Sequence, residues 1–265
     1  MSEDTSEPLI ARREGAVGVL ELARPEKFNC LSLAVWRSIG TALHEFERSG
    51  SGVRVILIQA QGKHFCTGAD LDEVQGLRDD ATRLTEFIGT GHRVLEAMEA
   101  SELPIVAACH GLCLAGGLEL MLGCDLVFAA EGARFGDQHA QFGLIPGWGG
   151  SQRLARLVGL RRAMDLYFSA RWLDAAEALA WGLVNEVVPA DALHDRALAW
   201  CATAAERSAP GLALMKRLAR QGLDRPLDEA LALERQLAVP ALQTSDVSEG
   251  LAAFQARRKP AFQDR

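Results

Sequence analysis

The sequence predicts an α/β fold built on parallel strands and finished by helices alone. Three observations carry that reading. Apolar runs of strand length recur at residues 53–60, 105–109 and 126–130, bounded by turn-forming residues. Segments of helical periodicity lie between them, and strands joined by helical crossovers pair in parallel. Beyond Asp191 the periodicity is helical throughout. The expected division is a disordered tail at 1–7, a core at 8–190 and a helical C-terminal region at 191–265. A chain of 265 residues is long enough to bury one large core.

Each element has its own signature. Residues 1–7 are polar and acidic, as disordered tails are. Residues 9–13 and 17–22 alternate apolar and polar side chains around Glu14-Gly15, which predicts a β-hairpin. Ser32 is placed to cap a helix in which Val35, Trp36, Ile39, Leu43 and Phe46 recur at helical spacing. Strand 53–60 feeds a glycine-bearing loop at 61–72, and such loops at strand ends bind ligands in α/β sheets. An amphipathic helix is expected over 81–102, with Leu84, Phe87, Ile88, Leu95 and Met98 on its apolar side. After strand 126–130 come a short extended piece at 134–136 and a glycine-rich loop at 137–150. Ser151 is expected to cap a helix at 152–158, followed by helices at 161–169 and 175–181 and a strand at 183–188. Four helices, at about 191–207, 211–221, 226–239 and 246–258, complete the chain.

Composition removes several function classes. A net charge of −7 argues against a general nucleic-acid binder. No apolar run reaches the length of a membrane span, and the first residues lack the basic and apolar regions of a secretory signal. The six cysteines form no CxxC pair and stand mostly in apolar context, so free buried thiols, no metal site and a cytoplasmic location are expected.

The most informative stretch is Pro104 to Asp125, PIVAACHGLCLAGGLELMLGCD. A buried strand leads through Gly116-Gly117 into an apolar helix, whose first N–H groups are free to hold an anion or a developing oxyanion. Glu119 is the only carboxylate of that helix. It reads either as an ordinary first-turn acid favoured by the helix dipole or as a proton-transfer group with its pKa raised by apolar neighbours. No P-loop, dinucleotide fingerprint or GxSxG elbow is present. Two glycine loops after buried strands remain, each able to offer an N–H donor.

Several segments, in order, resemble the enoyl-CoA hydratase/isomerase (crotonase) superfamily over nearly the whole chain. They are RPEKFNCLS at 24–32, FCTGADL at 65–71, HGLCLAGGLEL at 110–120 with Cys124-Asp125, FGLIPGWGGSQRL at 142–154, and the ending from Phe254 to Phe262. The resemblance implies a ββα spiral core with a helical C-terminal region that trimerises, alone or as a hexamer. It implies an acyl-CoA thioester as ligand, with no separate cofactor. Its oxygen would be held by the N–H groups of Thr67 and Gly116. Lys27, the segment Ala69, Asp70 and Leu71, and the basic Arg257-Arg258-Lys259 would line the nucleotide end.

The chain departs from the family's pattern at one position. Family hydratases place a second glutamate in an FGxPE segment, where this chain reads Phe135-Gly136-Asp137-Gln138-His139. The resemblance therefore makes Glu119 the acid/base, with His139 or Asp137 assisting. An enoyl-CoA hydratase is the first expectation. Isomerase or decarboxylase chemistry and a non-catalytic acyl-CoA-binding role are the alternatives.

Overall fold

The structure is a computed structural model in which residues 7–263 are described. Most of the expected tail, residues 1–6, lies outside them. Strand β1 (Leu9–Glu14) pairs antiparallel with β2 (Val17–Leu22) as the alternation requires. Helix α1 (Leu33–Glu47) follows, and the Ser32 hydroxyl accepts from the Val35 N–H at 3.2 Å. Next come β3 (Val55–Ala60), α2 (Leu71–Leu77) and α3 (Ala81–Ala100). The stretch 104–125 forms β4 (Ile105–Cys109), β5 (Leu112–Leu114) and α4 (Gly116–Leu122). Then follow β6 (Leu126–Ala130), β7 (Arg134–Gly136), α5 (Gly150–Val158), α6 (Leu160–Ser169), β8 (Leu173–Asp174), α7 (Ala175–Ala180) and β9 (Glu186–Val188). The chain ends in α8 (Leu193–Ala205), α9 (Ala209–Leu223), α10 (Leu227–Leu242) and α11 (Ser245–Gln255).

The larger sheet has the order β1-β2-β3-β4-β6-β9, and every pairing after the first hairpin is parallel. A smaller sheet, β5-β7-β8, lies beside it, and a bridge from Cys66 to Cys113 brings the segment after β3 into register with it. The chain thus repeats three times a strand in the large sheet, an extended piece in or beside the small one, and then helix: β3 to α2 and α3, β4 and β5 to α4, β6 and β7 to α5. The family resemblance called this a ββα spiral.

The central strands are buried on both faces, and side-chain alternation divides the core in two. Ile56, Ile58, Ile105, Ala107 and Cys109 pack against α1, α3 and α4. Val55, Leu57, Val106, Ala108 and Phe128 face the other way, against Leu193, Ala197 and Cys201 of α8. Helix α8 is therefore a layer of the sheet, so a boundary at 190/191 separates it from the surface it covers. Helices α9 and α10 have no buried residue, and α11 has only Asp246 and Ala253.

Three local expectations are corrected. Ser151 lies inside α5, which begins at Gly150, and Gly149 is the N-cap, without a side-chain hydrogen bond. Loop 61–72 ends in α2, which Asp70 caps by accepting from the Glu73 N–H at 3.3 Å. Residues 112–114, read as part of a loop, are strand β5, too short to show alternation.

Candidate active site

All seven residues of α4 are buried, so the Glu119 carboxylate is held away from water. Its Oε1 accepts two hydrogen bonds of 2.7 Å, from the N–H groups of Trp148 and Gly150. Successive N–H groups along a chain do not normally converge. Gly149 between them, at φ +90°, turns both donors onto one oxygen, a conformation that glycine adopts without strain. Burial raises the Glu119 pKa above the ordinary value, although the two N–H donors and His139 work against it. Its other oxygen, Oε2, is buried without a hydrogen-bond partner and lies 3.7 Å from Nε2 of His139. That distance is too long for a direct hydrogen bond.

His139 begins a 3₁₀ turn, His139–Phe142, just beyond β7. Asp137, itself buried, accepts from the His139 backbone N–H at 3.2 Å and meets its Nδ1 at 3.0 Å through the same Oδ1. A carboxylate oxygen only accepts, so Nδ1 carries the proton and Nε2 is the nitrogen facing Glu119. Burial lowers the His139 pKa, but the Asp137 hydrogen bond and charge, with the Glu119 charge, outweigh it and hold the pKa above its usual value. Gln138 anchors the turn by donating to the Ala170 carbonyl at 2.6 Å. Glu119, His139 and Asp137 are thus brought into one line, carboxylate–imidazole–carboxylate. Interacting groups this close share their protons as a set.

The expected pair of backbone donors changes in one member. The Thr67 N–H donates to the Phe28 carbonyl at 3.2 Å and so is already engaged. Two residues on, Ala69 is bridged to Leu31: Leu31 N–H donates to Gly68 O at 2.8 Å, and Asp70 N–H to Leu31 O at 3.0 Å. In a parallel bridge this leaves the Ala69 N–H pointing off the opposite edge. There it faces Gly116, where an added Cβ would stand 3.3 Å from the Ala69 nitrogen. Gly116 opens α4, so its own N–H has no intrahelical acceptor. The residue before it, Ala115, is held at φ +48°, a conformation costing a non-glycine residue roughly 1–3 kcal/mol. The free donors that face each other are therefore those of Ala69 and Gly116.

The residues expected at the nucleotide end form one surface patch. Lys27 Nζ lies 2.8 Å from Asp72, immediately after Ala69, Asp70 and Leu71. The Asp70 carboxylate is engaged by Arg24 at 3.1 Å; burial would raise its pKa, but Arg24 and the Glu73 N–H bring it below the usual range. Phe28 and Leu71 are exposed there. Arg258 and Lys259 instead pair with Glu249 and Glu206, in the C-terminal helices. Among the described residues no group of His, Cys, Asp and Glu is arranged to hold a metal, and no helix is long and apolar enough to cross a membrane. All six cysteines are free and buried.

Two features escaped the sequence reading. The Trp148 and Gly150 donors are backbone groups, and their only signal was the glycine spacing around Trp148. Asn29 ties two loops together: its Oδ1 accepts from the Arg24 N–H at 2.9 Å, and its Nδ2 donates to the Gln61 and His64 carbonyls at 2.8 Å.

The enoyl-CoA hydratase/isomerase family model matches residues 12–265. A probable enoyl-CoA hydratase of Rhizobium meliloti is 39% identical over 259 residues, spanning 98% of this chain and 99% of that protein. The crystal structure of an enoyl-CoA hydratase from Bacillus anthracis matches with a TM-score of 0.93 at 32% identity, covering 97% of this chain and 100% of that one. A subunit from Geobacillus kaustophilus described in the same terms matches with a TM-score of 0.91 at 37% identity, covering 98% and 100%. The chain belongs to the enoyl-CoA hydratase/isomerase family.

Proposed function

We propose that the protein adds water across the double bond of a 2-enoyl-CoA thioester. One observation carries this reading: Glu119 is pinned through Oε1 and leaves Oε2 free beside an imidazole that Asp137 orients. Hydration needs a base for water and an acid for the substrate carbon. A carboxylate facing an imidazolium supplies both.

In this mechanism the thioester oxygen accepts hydrogen bonds from the Gly116 and Ala69 N–H groups. Glu119 Oε2 takes a proton from water as the oxygen bonds to C3. The C2=C3 electron pair moves toward the thioester, and the two N–H donors stabilise the resulting enolate oxygen. His139, charged under the influence of Asp137, delivers a proton from Nε2 to C2. The proton gained by Glu119 then passes to His139, which restores the starting state. Asp137 is a positioning residue. Lys27 and the 69–71 segment lie toward the CoA nucleotide, and the chemistry uses no cofactor beyond the CoA of the substrate.

Incubation with crotonyl-CoA followed by mass spectrometry tests the proposal. The expected product is heavier by one water. A shifted double bond at unchanged mass would assign isomerisation instead. Loss of carbon dioxide from a carboxylated acyl-CoA would assign decarboxylation. Unchanged thioesters that only raise the melting temperature would leave a binding role. The proposal extends to a cytoplasmic homotrimer or homohexamer, associating through the C-terminal helices. Leu223 and Phe254 in those helices, 83% and 81% exposed, support the association, and Ile145 and Phe168 add exposed apolar surface outside them.

A further inference from the structure

We infer that Trp148 closes the acyl end of this site and restricts the enzyme to short acyl groups. The inference rests on the enoyl-thioester reading above and adds the substrate class. Trp148 has two roles on one residue: its backbone N–H holds Glu119, while its indole fills the space beside Gly116. A Cβ at Gly116 would meet the ring at 2.6 Å, and a Cβ at Gly91, in the middle of α3, would meet the indole nitrogen at 2.3 Å. The ring is therefore wedged between the start of α4 and the flank of α3, where only glycine on both sides leaves room.

Two further rings back it. Trp36 meets it edge-on with centroids 4.9 Å apart, and Phe87 lies tilted at 5.3 Å. All three are buried to 2% exposure or less. The thioester enters from the surface patch of Lys27 and the 69–71 segment, and its oxygen docks at Ala69 and Gly116. An acyl chain continuing inward past Gly116 meets the indole. Close-packed aromatic rings do not yield to a chain of several methylenes. The indole N–H groups of Trp148 and Trp36 are both buried without a hydrogen-bond partner, so this aromatic wall presents no polar group to an acyl chain.

The test is competitive binding of butyryl-CoA and octanoyl-CoA, saturated thioesters whose readout does not depend on turnover. The parent is expected to bind butyryl-CoA at least ~100-fold more tightly. Trp148→Phe keeps an aromatic plug, removes the orphan donor and is expected to keep the preference. Trp148→Ala, or Trp148→Leu where the alanine variant does not fold, is expected to bring the two ligands within ~10-fold of each other. Equal binding by the parent, or a preference unchanged in a folded Trp148→Leu protein, overturns the inference. Tight butyryl-CoA binding with no hydration of crotonyl-CoA would sink the proposed reaction and leave the pocket depth standing. Binding of neither thioester would overturn both.

Discussion

Replacing Glu119 by glutamine separates catalysis from stability. The amide oxygen of glutamine can accept from the Trp148 and Gly150 N–H groups as Oε1 does, so the loop geometry survives. The base at Oε2 is lost, and turnover of crotonyl-CoA should fall by about 10²–10⁴-fold, the usual contribution of a positioned acid or base. Stability should move the other way. Burial raises the folded-state pKa of Glu119 above 4.5, so above pH 4.5 the unfolded chain releases this proton more readily than the folded one. The associated stability is full below pH 4.5 and is lost as the pH rises through the folded value. Each unit of elevation costs about 1.4 kcal/mol. A chain of this size gains roughly 2–4 °C per kcal/mol recovered, so Glu119→Gln should melt higher than the parent at pH 7. The advantage should close below pH 4.5. Thermal melts across that range, run beside the hydration assay, give both readouts. Parent-like turnover, or a melting-temperature advantage of Glu119→Gln over the parent that is no larger at pH 7 than at pH 4, would refute the reasoning.

Three other outcomes are expected. His139→Gln should lower kcat by about 10²-fold or more while leaving butyryl-CoA binding intact; a loss under tenfold would mean that Glu119 handles both protons alone. Asn29→Ala removes three hydrogen bonds from a buried side chain and orphans their partners, so it should cost about 2–4 kcal/mol in denaturant unfolding; a change below 0.5 kcal/mol, in the range of ordinary surface substitutions, would show that the loop holds itself together. Sedimentation at micromolar concentration should give a trimer or a hexamer, and Phe168→Glu with Leu223→Glu should weaken it; a monomeric parent would contradict the association.

Much of this architecture was legible because it rests on local chemistry. Strands buried on both faces, such as 105–109, read as continuous apolar runs, and the Ser32 cap announced α1. Glu119 stood out as a lone carboxylate among leucines. What stayed hidden was set by distant segments meeting. Thr67 and Ala69 are equally plausible donors in the sequence; only the bridge to Leu31 and the Phe28 carbonyl decide which N–H is free. Ser151 looked like a cap because its residue type fits, but the need to aim the Trp148 and Gly150 donors at Glu119 starts the helix two residues earlier, behind Gly149. The pairing of His139 with Asp137 depends on a turn that no periodicity signals.

The central claim is that a carboxylate–imidazole pair, tuned by Asp137, carries both proton transfers. Asp137→Asn tests it most directly, because asparagine keeps an oxygen acceptor for His139 and removes only the charge. Burial alone lowers the His139 pKa, and Asp137 supplies the largest opposing effect. The charged form is present below the folded pKa and is lost as the pH rises through it. The kcat/KM profile of the parent should therefore fall on its alkaline side above pH 6.5, the ordinary histidine value. In Asp137→Asn that fall should move to lower pH, with the acidic side little changed. Superimposable profiles for parent and variant would contradict the account.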